Sequence, residues 1–214
     1  MKYGESTFDI IYLVFASVMG ISILKNSKDK VGKLMGVAIL ILGGGDAFHL
    51  VPRVLNYFVD GDFNMWLGIG KFITSITMTV FYVFMYYIWL GTYGKAENKT
   101  LTFSVYALAA IRIALCLFPQ NGWLENESSV VWGIIRNVPF VILGALVIAL
   151  FFKDRKQVPS LGFVWLLVTL SFLFYIPVAV FASLLPILGM LMLPKTVCYM
   201  ILFWVFRRYA QATK

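Results

Sequence analysis

Charge is what this chain has least of. Only 13% of its residues are Asp, Glu, Lys or Arg, against about 25% in a soluble domain. With 61% hydrophobic residues, that excludes a soluble globular fold and predicts an all-α integral membrane protein. Acids are scarcer than bases, 10 against 18, so the net charge is +8. Most bases lie between apolar runs, where they mark membrane topology, so no nucleic acid is expected as a partner. Histidine is nearly absent: His49 is the only one, and a site of three histidines cannot be built. The two cysteines, Cys116 and Cys198, both fall inside apolar runs, which argues against a disulfide framework. The head before the first run has neither a basic region nor a small-residue cleavage site, so no removed signal peptide is expected. There is no convincing internal repeat, and hence no support for an inverted-repeat transporter. No metal and no cofactor are expected.

What is present is a series of apolar runs of spanning length. They cover about 8–24, 34–58, 65–90, 101–117, 130–152, 161–184 and 186–206, and predict one compact seven-helix domain over 1–214. The boundary between the last two rests only on Leu185-Pro186-Ile187-Leu188-Gly189. Bases follow the odd-numbered runs: Lys25, Lys28, Lys30 and Lys33, then Lys95 and Lys99, then Lys153, Arg155 and Lys156, then Arg207 and Arg208. The head and the loops after the even-numbered runs carry only Lys2. The positive-inside rule then places the N-terminus outside and the C-terminus in the cytoplasm, in a plasma or inner membrane. Asn98-Lys99-Thr100 and Asn126-Glu127-Ser128 match the glycosylation triplet.

The stretch Gly43-Gly44-Gly45-Asp46-Ala47-Phe48-His49-Leu50-Val51-Pro52-Arg53 organises the rest. Asp46, His49 and Arg53 share one helical face. Asp46 is read as the one acid of the apolar interior, partnered by Lys195 or Arg112. Five bases, Arg53, Lys71, Arg112, Arg136 and Lys195, fall in the middle and outer half of the runs. Each charge costs about 2.5–3.5 kcal/mol at a helix centre on insertion scales, so these groups should face the bundle interior. Their surplus over the acids predicts a cavity that attracts anions. Thr74, Ser75, Tyr82, Ser171, Tyr175 and Tyr199 would complete it. Pro52, Pro139, Pro177 and Pro194 are read as interrupting four spans, and the glycine run as a site of close approach. Stapling is the alternative for Arg112 and Arg136, which would then pair with Asp60, Asp62, Glu125 or Glu127.

Phe48-His49, with Asp60 eleven residues on, resembles the span 2–3 motif of the alkaline ceramidases and other CREST hydrolases, over about 20 residues. The family's serine four before the histidine is Gly45 here, and its paired histidines in span 7 are missing. The resemblance therefore implies a fold without the metal chemistry. Lys195 in span 7 is placed like the retinal lysine of rhodopsins, but Leu191 stands where the microbial motif has an acid and span 3 has no acid. Pro119-Gln120 is the only part of a PQ-loop pattern present.

Three functions follow. The first is binding or transport of a small anion or an anionic lipid head group, through Arg53, Lys71, Arg112, Arg136, Tyr175, Lys195 and Tyr199. The second is a membrane enzyme acting on a lipid or other anionic substrate, with Asp46 and His49 as an acid–base couple. The third is a seven-span sensor or accessory subunit that needs a membrane protein partner.

Overall fold

The computed structural model describes residues 2–126, 129–181 and 185–212. Seven α-helices account for most of them: α1 Lys2–Asn26, α2 Lys30–Phe58, α3 Asn64–Thr92, α4 Lys99–Cys116, α5 Val130–Asp154, α6 Val164–Phe181 and α7 Met192–Ala212. No strand occurs among the described residues. All seven helices are long and apolar enough to cross a membrane. Consecutive helices are neighbours and α7 returns to α1, so the bundle closes; α3 also meets α5, and α2 meets α7.

The helices outrun several of the apolar runs because polar residues at their ends serve as caps. Asp29 accepts from the backbone N–H groups of Val31 and Gly32, both at 3.2 Å, and starts α2 four residues early. Asn98 does the same for α4 through Thr100 and Leu101. The first glycosylation triplet is therefore a helix start. The second lies partly outside the described residues, as does the end of the sixth run at 182–184.

The seventh element departs most from expectation. Pro186–Leu191 forms a 3₁₀ segment and the α-helix begins only at Met192. Pro194 is its third residue, where the missing N–H would have had no partner inside the helix. It opens α7 instead of interrupting it. Lys195 accordingly sits in the first turn of α7, not at mid-span. Pro52, Pro139 and Pro177 do lie inside their helices.

Packing is tightest between α2 and α3. A Cβ on Gly45 would fall 1.8 Å from the Thr77 hydroxyl, and one on Gly43 2.8 Å from Ala16 of α1, whereas Gly44 faces open space. The glycine run is thus a two-sided helix contact. Midway along the bundle lies an aromatic layer. Tyr82 meets Phe140 edge-on at 5.1 Å and Phe172 at 5.4 Å, Phe81 meets Tyr199 at 5.8 Å, and Tyr82 and Tyr199 share a hydrogen bond of 3.1 Å. This layer separates the two ends of the bundle.

The end opposite the N-terminus is closed by Asp154. Its carboxylate accepts from Trp89 Nε1 at 3.1 Å, from Lys95 Nζ at 2.9 Å and from Gln157. Tyr93, just past α3, is buried close by; burial, with the Asp154 charge, pushes its phenol up to about 12, so it stays neutral. Asp154→Ala leaves the Trp89 and Lys95 donors without a partner. It is expected to lower stability by about 2 kcal/mol, read as thermal unfolding in detergent. An unchanged midpoint would show that the cluster contributes nothing.

Candidate functional site

At the N-terminal end of the bundle, above the aromatic layer, the helices leave two adjoining cavities. The larger holds about 400 Å³, within the range of about 300–1,000 Å³ usual for small-molecule sites. Lys71 of α3, Arg112 of α4, Arg136 of α5 and Lys195 of α7 all line it, and Tyr175 of α6 adds a phenol. Among the described residues no acid lines it. Apolar walls come from Met78, Val130, Met192 and residues 178–180.

Each base has a structural reason for being there. The buried face of α4 runs Val105, Ala109, Arg112, Cys116, so Arg112 occupies a core position of that helix. It is 2% exposed. Its guanidinium lies 3.5 Å from the centre of the Phe140 ring, and its Nε and Nη1 have no hydrogen-bond partner. Arg136 Nη1 donates to Asn121 Oδ1 at 2.7 Å, and its guanidinium covers the Trp123 ring at 4.4 Å. Lys71 Nζ donates to Asn126 Oδ1 at 2.7 Å. Lys195 Nζ lies 4.7 Å from the Tyr175 ring centre and 5.8 Å from that of Tyr199. So every base in the cavity rests on a neutral amide or an aromatic face.

The roof is the α4–α5 connection. Asn121 Nδ2 donates to the Leu115 and Phe118 carbonyls at 2.9 and 2.8 Å, and Trp123 Nε1 to the Cys116 carbonyl at 2.8 Å. The Trp123 carbonyl then presses on Gly68, where a Cβ would lie 1.6 Å away. No larger residue fits at Gly68 with this roof in place.

The smaller cavity, about 120 Å³, has the opposite character. Glu5 and Asp9 of α1 and Asp46 of α2 line it, together with Tyr12, Arg53 and Tyr199. Tyr12 donates to Asp46 Oδ2 at 2.6 Å, and Tyr57 to Glu5 Oε2 at 2.7 Å. Asp9 pairs with Arg53 at 3.6 Å. His49, Thr74, Met192 and Lys195 line both cavities and form the wall between them.

The structure therefore brings Lys71, Arg112, Arg136, Tyr175 and Lys195 together and sets Arg53 and Tyr199 apart, on the far side of that wall. Several expected pairings are not made. Among the described residues the only ion pairs are Arg53–Asp9 and Lys95–Asp154. Asp46 is thus held by the Tyr12 phenol, with neither Lys195 nor Arg112 in ion-pair range. Arg112 and Arg136 do not pair with Asp60, Asp62 or Glu125; Glu127 lies outside the described residues. Asp46 and His49 do not bond to each other, and His49 Nδ1 is buried without a partner. Nor is Asp46 the only interior acid, since Asp9 is 4% exposed. Glu5, Asp9 and Tyr12 were legible as a stripe, because positions four and three apart share a helix face. Asn121, Asn126 and Asn137 gave no such signal: two sit in a connection, and Asn137 is fixed by donating to the Gly133 carbonyl at 2.8 Å and accepting from Tyr175 at 2.7 Å. No three His, Cys, Asp or Glu side chains are grouped to hold a metal among the described residues.

The fold and composition define a class, a multi-pass bundle of seven helices suited to spanning a membrane. Beyond that class, no protein-family model, no curated protein and no solved structure matches the chain.

Proposed function

We propose that this is a seven-span membrane protein, N-terminus outside and C-terminus in the cytoplasm, whose larger cavity binds a small anion or the anionic head group of an amphiphile, as a carrier for it. The observation that carries this reading is Arg112. A guanidinium 2% exposed, with two N–H groups unpaired on the wall of a 400 Å³ cavity, is a costly arrangement for a structural residue. Turned toward the cavity, those groups would find their missing acceptors in a bound anion. Lys71, Arg136 and Lys195 raise the local concentration of such a ligand, and their neutral partners give way without breaking an ion pair. The walls are apolar enough for a short hydrocarbon chain beside the charged group. The acid–base couple that a hydrolytic enzyme would draw from Asp46 and His49 is not formed, so the geometry favours binding over catalysis.

The test is thermal unfolding of the purified protein against inorganic anions, carboxylates and alkyl sulfates at constant ionic strength. A ligand present at 100 times its Kd adds about 2.7 kcal/mol to apparent stability, a shift of a few degrees. At least one anion class should give that shift, and Arg136→Met should reduce it. The absence of any shift across the panel would overturn the reading.

A further inference from the structure

Among the described residues Lys195 is the only Lys, Arg, Asp or Glu that lines both cavities, and apart from it the larger holds only bases where the smaller holds mostly acids. On one side stand Lys71, Arg112 and Arg136 with no acid among the described residues; on the other stand Glu5, Asp9 and Asp46, with Arg53 paired to Asp9. We infer that anion binding in the larger cavity is coupled to uptake of a proton in the smaller one, with Asp46 as the proton acceptor and Lys195 as the link between them. The inference rests on the anion-binding reading and specifies how the ligand's charge is balanced.

The charges facing Asp46 make it the natural acceptor. From α1 come Glu5, Asp9 and Tyr12; from α7 come Lys195 and Tyr199; α2 itself adds His49 and Arg53, and α3 contributes only the uncharged Thr74. Arg53 is engaged by Asp9 at 3.6 Å, and Glu5 by Tyr57. Asp46 is left with one hydrogen bond, from Tyr12 to Oδ2, and no donor among the described residues reaches Oδ1. The cation that balances it across the wall is Lys195. That ammonium is held by no carboxylate within ion-pair range among the described residues, only by the Tyr175 and Tyr199 ring faces. It is therefore free to turn toward either cavity.

An anion in the larger cavity draws the Lys195 ammonium toward Arg112 and Lys71. Asp46 then loses its balancing cation, and a proton from the outer solution, passing along the stripe of Glu5 and Asp9, adds to Oδ1. Lys195 keeps its own proton throughout. One proton is bound with each anion, so a monovalent anion such as octyl sulfate adds no net charge to the buried site and sulfate adds a single negative charge. Release of the anion returns Lys195 toward Asp46 and expels the proton.

The experiment uses the full chain in lipid nanodiscs, with sulfate and octyl sulfate as probes. Both stay fully ionised across the working pH range, so any proton exchange belongs to the protein. Titration calorimetry in two buffers of different ionisation heat counts protons taken up per anion. The expected result is about one proton per anion near pH 7, and a Kd that rises about tenfold per pH unit where uptake is complete. Asp46→Asn should still bind the anion, with no proton uptake and a Kd independent of pH. His49→Gln should keep the count of about one proton per anion, whatever it does to the affinity. Binding by the unmodified protein without proton exchange would overturn the inference and leave the anion reading intact, and this result needs no variant to fold. Proton uptake that survives Asp46→Asn, or disappears in His49→Gln, would overturn Asp46 as the acceptor. Failure of both probes to bind would overturn the anion reading itself. Binding of octyl sulfate alone would mark the ligand as an amphiphile, and binding of both a free anion; the proton count decides the coupling in either case.

Discussion

Arg112→Met is expected to abolish anion binding while leaving the fold at least as stable as before. Arg112 offers two unpaired N–H groups from a position 2% exposed. Hydrogen bonds to a charged group contribute about 1.5–3 kcal/mol each, so losing two at the lower figure weakens binding roughly 100-fold. Stability should move the other way. Replacing a buried charge that lacks an ionic partner by an apolar side chain of similar volume is often neutral or stabilising. Met also retains a favourable contact with the Phe140 ring in place of the guanidinium. A residue that staples helices behaves differently, and its loss lowers the melting temperature. Unfolding and binding measured on one preparation separate the two: a large drop in melting temperature with binding retained would contradict the assignment.

The second large effect is expected at Gly70. A Cβ there would stand 2.2 Å from the Phe48 carbonyl oxygen and 2.6 Å from His49 Cα. Both are backbone atoms of α2, so no rotamer change relieves the overlap. Gly70→Val must push α2 and α3 apart at the level where His49 and Lys71 flank the larger cavity. Forcing extra methyl groups into a packed contact costs about 1–3 kcal/mol, occasionally more, and the upper end applies because the obstacle is main chain. Anion affinity should fall with it, since Thr74 and His49 move with their helices. Gly44→Ala, one turn before Phe48 yet facing open space, is the control and should leave the melting temperature unchanged. Equal behaviour of the two variants would contradict the close packing of α2 on α3.

Much of this arrangement was legible in the chain itself. Apolar runs of spanning length mark all seven helices, and because a charge in such a run must face inward, Lys71, Arg112, Arg136 and Lys195 belong to one interior. Their division from Arg53 and Tyr199 was not legible. It depends on how far α1 rotates to bring Asp9 against Arg53 and Tyr12 against Asp46, and rotation is set by the packed surfaces of two helices together. The stripe Glu5, Asp9, Tyr12 was visible in spacing, but its partners were not. The depth of Lys195 is not legible either, because a proline within an apolar run reads as a break inside a helix, whereas Pro194 belongs to the first turn of α7. The neutral partners of the bases were hidden for another reason. Asn121 and Asn126 lie in a connection, where no periodicity says which way a side chain points.

Anion binding is tested most directly by a structure of the protein soaked in selenate, with the selenate located by its anomalous scattering. One strong peak is expected in the 400 Å³ cavity, within hydrogen-bonding distance of Arg112 Nε or Nη1 and flanked by Lys71, Arg136 and Lys195. A cavity with no peak at selenate concentrations far above any useful affinity, with Arg112 still stacked on Phe140, would contradict it.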